Sequence, residues 1–128
     1  MSEIDALTGF AGIPVRDLGV ATEWYTQVFG RGPDSWPEPR IADFYLSEGR
    51  VPEQGTLQLR LDADRAGGGL ATINVEDISV VTRALEALDV AFETQRFPIE
   101  AQTVSAVTVG TFIDPDGNAV TIVQPHRR

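Results

Sequence analysis

The chain has 128 residues, of which 42% are hydrophobic and 23% charged, and it contains neither cysteine nor lysine. This composition predicts one globular domain, residues 1–128, and excludes disulfides, thiol or thiolate chemistry and Schiff bases. Nineteen acidic residues against ten basic ones give a net charge of -9, so neither nucleic acid nor an anionic membrane is an expected partner. Without a targeting signal or a long apolar run, we expect a cytoplasmic protein.

The sequence contains an internal repeat with a period of 60 residues. Residues 10–28 align with residues 70–88 without a gap, and six of the 19 aligned pairs are identical. Each copy has an alternating strand, an aspartate suited to cap a helix, and a helical stripe of apolar residues. The expected caps are Asp17 and Asp77, and Gly30 is the expected stop of the first helix. Each half therefore begins with a strand and a helix.

The rest of the first half predicts a loop followed by strands. Residues 31–40 contain three prolines and predict an irregular surface loop. Residues 41–46 and 56–61 have the alternation of strands. The following segment, residues 62–69, ends in three glycines and predicts a flexible joint between the halves.

The second half repeats this organisation after its helix. Strands are predicted over residues 90–96, 103–113 and 119–123. The chain is thus expected to form two βαβββ modules, residues 7–61 and 70–124, connected by the 62–69 linker. The single histidine, His126, follows the last predicted strand, so we expect no histidine in the folded body and propose no nucleophilic triad.

Four short stretches together resemble the vicinal oxygen chelate superfamily. They are Val15–Leu18, Trp24–Tyr25, Val28–Gly30 and Phe112–Asn118, the last of which also predicts a tight turn. The superfamily includes glyoxalase I, extradiol dioxygenases, fosfomycin and bleomycin resistance proteins and methylmalonyl-CoA epimerase. The resemblance extends over nearly the whole chain. It implies an α+β fold in which two tandem βαβββ modules form curved sheets around a cavity, with the helices outside, and it implies a homodimer.

The positions of the superfamily's metal ligands hold unsuitable residues in this chain. Metal-dependent members usually carry histidine or glutamate seven residues before each capping aspartate, and glutamate seven residues after the aspartate that opens the final turn. These positions are Phe10, Leu70 and Thr121, and the fourth ligand position maps to Gln58. Two of these side chains have no donor atom and two are poor ligands. We therefore expect no metal and no other cofactor, and no glyoxalase, dioxygenase, epimerase or fosfomycin-transferase activity.

The same positions suit a pocket for an organic ligand. The ligand-binding candidates are Phe10, Trp36, Tyr45, Gln58, Arg60, Leu70, Asn74 and Thr121. Alternation directs either Phe44 or Tyr45 inward and does not decide between them. Trp36 is suited to stack on a flat ligand, to pack on its own loop or to form a subunit contact. Alternatively, Phe10 and Leu70 fill the space and close the pocket.

Two functions follow from these candidates. The first is a metal-independent protein that binds a small organic molecule and sequesters a cationic or aromatic antibiotic, as bleomycin resistance proteins do; the acidic charge favours a cationic ligand. The alternative is a metal-independent isomerase, lyase or cyclase that uses Asp43 or Glu93 as its base. Solvated positions are the simpler explanation for both carboxylates. Whether the chain is an enzyme stays open.

Overall fold

Each half of the chain folds as a β-α-β-β-β unit. The computed structural model describes residues 3–128. In the first half, β1 spans Phe10–Val15, α1 Leu18–Phe29, β2 Ser35–Glu38, β3 Ile41–Tyr45 and β4 Thr56–Leu61. In the second half, β5 spans Leu70–Asn74, α2 Ile78–Ala87, β6 Thr94–Pro98, β7 Val104–Ile113 and β8 Ala119–Arg127. A short 3-10 helix, Pro52–Gln54, lies between β3 and β4.

The strands form two four-stranded sheets, one from each half. Their orders are β1-β4-β3-β2 and β5-β8-β7-β6. The β1–β4 and β5–β8 pairs are parallel and the other pairs antiparallel. β1 and β5 are edge strands that lie next to each other. The expected α+β fold of two curved sheets with helices outside is therefore confirmed.

The capping residues predicted from the repeat begin both helices. Asp17 accepts a 3.0 Å hydrogen bond from the Val20 backbone N–H, and Asp77 accepts one of 3.0 Å from the Ser79 N–H. α1 stops at Gly30, whose φ of 77° is a left-handed conformation that glycine adopts without strain. Among residues 3–128, neither α-helix is long and apolar enough to cross a membrane.

A single hydrophobic core lies between the helices and the two sheets. As alternation predicts, Ile13 and Val15 of β1 and Ile73 of β5 are buried against the helices. The largest fully buried apolar side chains include Tyr25, Phe44, Leu57, Leu59, Leu85, Phe112 and Ile122. Trp24 of α1 packs against Phe112 of the second sheet, with 5.8 Å between ring centroids. Because α1 contacts both sheets, the modules share this core.

β2 and β6 differ from the sequence prediction. The 31–40 region was expected to be irregular, yet it contains β2; this strand lies at the edge of its sheet, where the missing N–H of Pro37 is tolerated. β6 begins four residues later than predicted, at Thr94. The preceding Val90 and Phe92 pack against the core instead of pairing in the sheet.

The last strand extends beyond its predicted end and includes the histidine. β8 continues to Arg127 because it pairs with the first half of β7. His126 lies within this strand, half-buried, with its Nε2 2.7 Å from the hydroxyl of Thr108. The expectation that no histidine lies in the folded body was therefore wrong.

The segment between β4 and β5 is held in place by hydrogen bonds, although its three glycines predicted a flexible joint. The backbone N–H groups of Gly67 and Gly69 donate to Asn118 Oδ1, at 3.1 and 2.8 Å. A Cβ atom on Gly69 would lie 2.8 Å from the Asn118 side chain and from Pro14. A small residue is required here because the two modules approach each other closely, and the segment is fixed as a result.

Candidate functional site

Each sheet has one face against the helices and one face without helices, which we call its open face. Residues paired across neighbouring strands share a face. The open face of the first sheet carries Phe10, Gly12, Pro14, Asp43, Tyr45, Gln58 and Arg60. The open face of the second sheet carries Leu70, Thr72, Asn74, Thr111, Ile113 and Thr121. The two faces meet along β1 and β5, and they hold every ligand-binding candidate predicted from sequence except Trp36.

The apolar candidates project from these faces into solvent. Phe10 is 46% exposed and Leu70 is 82% exposed, and Ile113 beside them is also exposed. In one chain, these side chains therefore do not fill an enclosed space between the sheets. Exposed apolar side chains grouped on one surface are characteristic of a binding or subunit interface.

The structure decides between Phe44 and Tyr45. Phe44 is buried on the helix side, where its ring centroid lies 5.2 Å from that of Phe29. Tyr45 is paired with Thr56 on the open face and is half-buried. The tyrosine is thus the residue available to a ligand on this face.

Asp43 is a buried carboxylate on the first open face. It is paired with Gln58 in the β3–β4 ladder and is only 3% exposed. Its Oδ1 atom is enclosed and accepts no hydrogen bond from residues 3–128. Burying a polar atom without a partner is costly, so such atoms call for a specific explanation. Alternation allowed Asp43 to face inward without deciding it, and the simpler expectation of a solvated position was wrong for this residue.

The polar candidates at the superfamily's ligand positions form hydrogen bonds with their neighbours. Arg60 Nη1 donates to Gln58 Oε1 at 2.5 Å, and the hydroxyls of Thr121 and Thr111 lie 2.8 Å apart. These contacts orient an amide, a guanidinium and two hydroxyls on the open faces. They supply hydrogen-bonding groups for an organic ligand.

Trp36 and Glu93 occupy outer positions. Trp36 lies in edge strand β2 and is 53% exposed, which argues against packing on its own loop and leaves the indole available to a ligand or a second chain. Glu93 precedes β6, the outer strand of the second sheet, and is exposed. The two catalytic candidates, Asp43 and Glu93, therefore lie in different modules and are not brought together in one chain.

The 114–118 turn between β7 and β8 contains polar contacts that sequence reasoning missed. Asp114 Oδ2 accepts a 2.7 Å hydrogen bond from the Tyr25 hydroxyl and one of 2.9 Å from Asn118 Nδ2. Burial, followed by the negative charge of Asp114, raises the pKa of Tyr25 far above its usual range. The sequence offered one signal for these contacts, namely the polar residues Asp114 and Asn118 at the two ends of the turn. The turn itself can form without either side chain, so their presence indicated a further role.

Asn118 connects this turn to the first module. Its Nδ2 also donates to the Pro14 carbonyl at 2.8 Å, and its Oδ1 accepts the two glycine N–H groups described above. Arg16 adds a 3.2 Å ion pair with Asp116. The turn therefore fixes the relative placement of the sheets, and with it the junction of their open faces.

A cleft of about 810 Å³ lies between the modules, which we call the inter-module cleft. Its lining includes Phe29, Leu46, Glu48, Gln54, Asn74, Val75, Glu76, Val81 and Arg127. Of the ligand-binding residues predicted from sequence, it includes Asn74 alone. Its volume lies within the usual range of small-molecule sites.

Comparison with known proteins identifies the architecture. No protein-family model and no curated protein matches the chain. A glyoxalase/bleomycin resistance protein from Catenulispora acidiphila has a similar solved structure, with a TM-score of 0.71 and 27% identity over 93% of this chain and 98% of that one. The resemblance to the vicinal oxygen chelate superfamily is therefore confirmed at the level of the fold. An antibiotic-binding protein from a Streptomyces species shares the fold at a TM-score of 0.62 and 19% identity, over 98% and 99% of the two chains.

The metal of the superfamily does not fit the residues at its usual positions. Phe10 and Leu70 have no donor atom, while Gln58 and Thr121 offer an amide and a hydroxyl that already bond to neighbouring side chains. Within residues 3–128, no group of three or more histidine, cysteine, aspartate or glutamate side chains is placed to hold a metal ion. We therefore derive no chemical step through a metal.

Proposed function

We propose that the protein binds a small organic molecule on its open faces without a metal. One observation carries this proposal. The positions that hold the metal ligands in metal-dependent members of the superfamily are occupied here by Phe10, Leu70, Gln58 and Thr121, which lie on the open faces. Such a surface has apolar area together with a few oriented polar groups, which is the usual character of an organic-ligand site. Binding through shape and hydrogen bonds needs no Lewis acid.

The charge of the protein and its aromatic residues suggest the ligand class. A net charge of -9 attracts cations, and the exposed Trp36 and the half-buried Tyr45 offer rings for stacking on a flat molecule. An antibiotic-binding protein shares this fold. We propose that the chain likewise sequesters a cationic or aromatic antibiotic in the cytoplasm and confers resistance by lowering the free concentration of the drug.

We further propose that the working form is a homodimer. Phe10, Leu70, Ile113 and Phe97 are exposed large apolar residues, and in one chain the open faces are uncovered. A second copy that covers these faces would bury this area and enclose a ligand between the two chains. The measurement is the molar mass in solution by light scattering, with Leu70→Arg as the variant expected to give monomers.

Asp43 favours a second function, a metal-independent isomerase, lyase or cyclase. Its enclosed Oδ1 accepts no hydrogen bond within the described chain, and a carboxylate without a partner is suited to remove a proton from a bound substrate. Glu93 has no comparable environment, because it is exposed at the outer edge of the second sheet. Asp43 is therefore the base in this alternative.

A thermal-shift screen distinguishes the two functions. The metal-free protein is tested against bleomycin, cationic and planar aromatic antibiotics, common metabolites and acyl thioesters, and each compound is recovered and analysed afterwards. A concentration-dependent rise in melting temperature with the compound recovered unchanged supports sequestration. Conversion of a stabilising compound by the native protein, but not by Asp43→Asn, supports the enzyme. If none of the antibiotics or metabolites stabilises the protein, the binding proposal fails.

A further inference from the structure

The two-module architecture creates two junctions between the modules, and one of them is closed. At the end of β1 and the start of β5, the 114–118 turn bonds to the first module through Asn118 and Pro14, and Asp116 Oδ1 accepts a 3.1 Å hydrogen bond from the Arg16 N–H. Asn118 is completely buried there. Hydrogen bonds and packing therefore seal this junction.

The corresponding connection of the first module does not seal the other junction. The repeat makes residues 46–55, between β3 and β4, the counterpart of the 114–118 turn. The hydrogen bonds of this longer connection stay within its own module, such as those from Leu46 N to Gly55 O and from Thr56 Oγ1 to Pro52 O, and within residues 3–128 none reaches the second module. The inter-module cleft lies at this position, beside the end of β5.

The shared hydrophobic core reaches solvent in this cleft. Four apolar side chains of the cleft lining are partly buried and pack against the core: Phe29 of α1, Leu46, Val75, and Val81 of α2. The floor is thus formed by both modules and is continuous with the interior. An apolar molecule seated there would remove this area from water, which is the main source of affinity in such sites.

The rim of the cleft is acidic. Arg127 holds Glu76 through contacts of 3.2 and 3.3 Å, and this ion pair lowers the pKa of Glu76. Glu48 also lines the cleft and forms no ion pair with residues 3–128. Glu48, Glu76 and Arg127 together give the rim a net negative charge, and the protein as a whole carries -9. Binding of a cation at the rim is therefore favoured.

From this combination we infer that the inter-module cleft is a separate binding site for an organic ammonium ion with a compact apolar body. The apolar part lies on Phe29, Leu46, Val75 and Val81, and the ammonium group faces Glu48 at the rim. The site does not depend on the function proposed for the open faces. Of the residues named on the open faces, only Thr72 and Asn74 also line this cleft.

The test uses 1-naphthylmethylammonium as probe, with uncharged 1-naphthylmethanol for comparison, and measures binding by calorimetry. Gln54→Trp adds bulk at the lining, while Glu53→Trp adds the same bulk to the neighbouring exposed residue outside the cleft. We expect the first variant to weaken binding of the ammonium probe about tenfold or more, and the second to change it by less than about twofold. Equal affinities for the two variants would overturn the proposal.

Charge is tested separately with Glu48→Gln and with Glu53→Gln, which removes the same charge outside the cleft. We expect Glu48→Gln to weaken the ammonium probe about threefold and to leave the uncharged probe unchanged, as suits an exposed ionic contact. Glu53→Gln should affect neither probe. If both charge variants act alike, long-range attraction rather than this site explains the binding.

Location is tested by amide NMR shifts in the native protein. We expect the probe to shift Leu46, Val75 and Val81 and to leave Phe10, Gln58 and Thr121 unchanged. Shifts confined to the latter group would place the probe on the open faces and overturn this inference while leaving the proposed function intact. The same amide shifts are also followed on dilution of the protein without probe. If the cleft residues shift with protein concentration, a second copy of the chain occupies the cleft, and the inference of a small-molecule site is overturned.

Discussion

The hydroxyl of Tyr25 in α1 donates a 2.7 Å hydrogen bond to Asp114 at the end of β7, joining residues 89 positions apart. Both partners are buried, and the same carboxylate accepts three further hydrogen bonds from its own turn. The contact therefore ties the helix of one module to the sheet of the other. The position of the second sheet relative to α1 depends on this pair.

Tyr25→Phe should lower the free energy of unfolding by about 2 kcal/mol at neutral pH. The variant removes one hydrogen bond to a buried carboxylate and keeps the ring that packs in the core. Urea unfolding measures the change. Tyr45→Phe is the matched control, because the Tyr45 side chain is half-buried on the open face. It should change stability by less than about 0.5 kcal/mol. Equal effects of the two variants would contradict the assignment.

The same pair predicts loss of stability in alkali. Burial and the charge of Asp114 raise the pKa of Tyr25 in the folded state, so the neutral form is favoured there. Its contribution is fully present below the ordinary tyrosine pKa of about 10 and is lost as the pH rises above it. Unfolding free energies measured between about pH 9 and about pH 11 should fall for the native chain and fall less for Tyr25→Phe. Parallel curves for the two proteins would contradict this.

Asn118→Ala should destabilise the protein by about 3 kcal/mol or more. The substitution leaves the N–H groups of Gly67 and Gly69 and the carbonyl of Pro14 without their side-chain partner. Hydrogen exchange at the two glycines should also accelerate. Asn74→Ala, on the exposed open face, provides the control and should leave both quantities nearly unchanged.

Asp43→Asn should raise the stability of the ligand-free protein by about 1 to 2 kcal/mol, because it replaces a carboxylate whose Oδ1 is enclosed and accepts no hydrogen bond within residues 3–128. The same variant should lose affinity for the ligand, or turnover if the protein is an enzyme. Denaturant unfolding is the measurement, with exposed Asp64→Asn as control. A loss of stability in Asp43→Asn would mean that the carboxylate is satisfied in the folded state.

The sequence predicted the repeated modules because their signals are local. Asp17, Asp77 and Gly30 specify helix ends through contacts within a few residues, and alternation assigns Gln58 to a sheet face. Neither signal reports depth or distant contacts. The burial of Asp43 depends on side chains from other strands, and no local pattern contains that information.

The interactions between the modules were not predictable for the same reason. The contacts of Asn118 join it to residues 49 to 104 positions away, and the 114–118 turn satisfies every local rule for a tight turn without them. β2 was missed because the three prolines of residues 31–40 indicate a loop, and only its place at the sheet edge allows it to pair. Tertiary contacts decide both cases.

Divalent metals should not stabilise the protein. After dialysis against a chelator, additions of zinc, nickel, manganese or iron(II) should leave the melting temperature unchanged, because Phe10 and Leu70 provide no donor atoms at the superfamily's ligand positions. A saturable rise at one metal per chain would contradict both this expectation and the proposed metal-independent function.

Trp36→Ala should weaken binding of the compound that the thermal-shift screen identifies by about tenfold, because a stacked aromatic contact is lost. Its exposure in an edge strand predicts a stability change within about 0.5 kcal/mol. Trp24→Ala, which removes a side chain packed against the core, should by contrast lower stability by about 3 kcal/mol. A comparable loss in Trp36→Ala would show that this tryptophan is a packing residue.

The unequal β3–β4 and β7–β8 connections mean that the two halves are no longer interchangeable. If the repeat arose by duplication of one βαβββ gene segment, the copies have since specialised, one providing the turn that bonds to the other module and the other a longer connection that bonds within its own module. A protein built from two first halves would lack the 114–118 turn at both junctions. One built from two second halves would carry the turn twice but would lack Tyr25 and Arg16, which bond to it. Each half therefore holds one side of the contact between the modules.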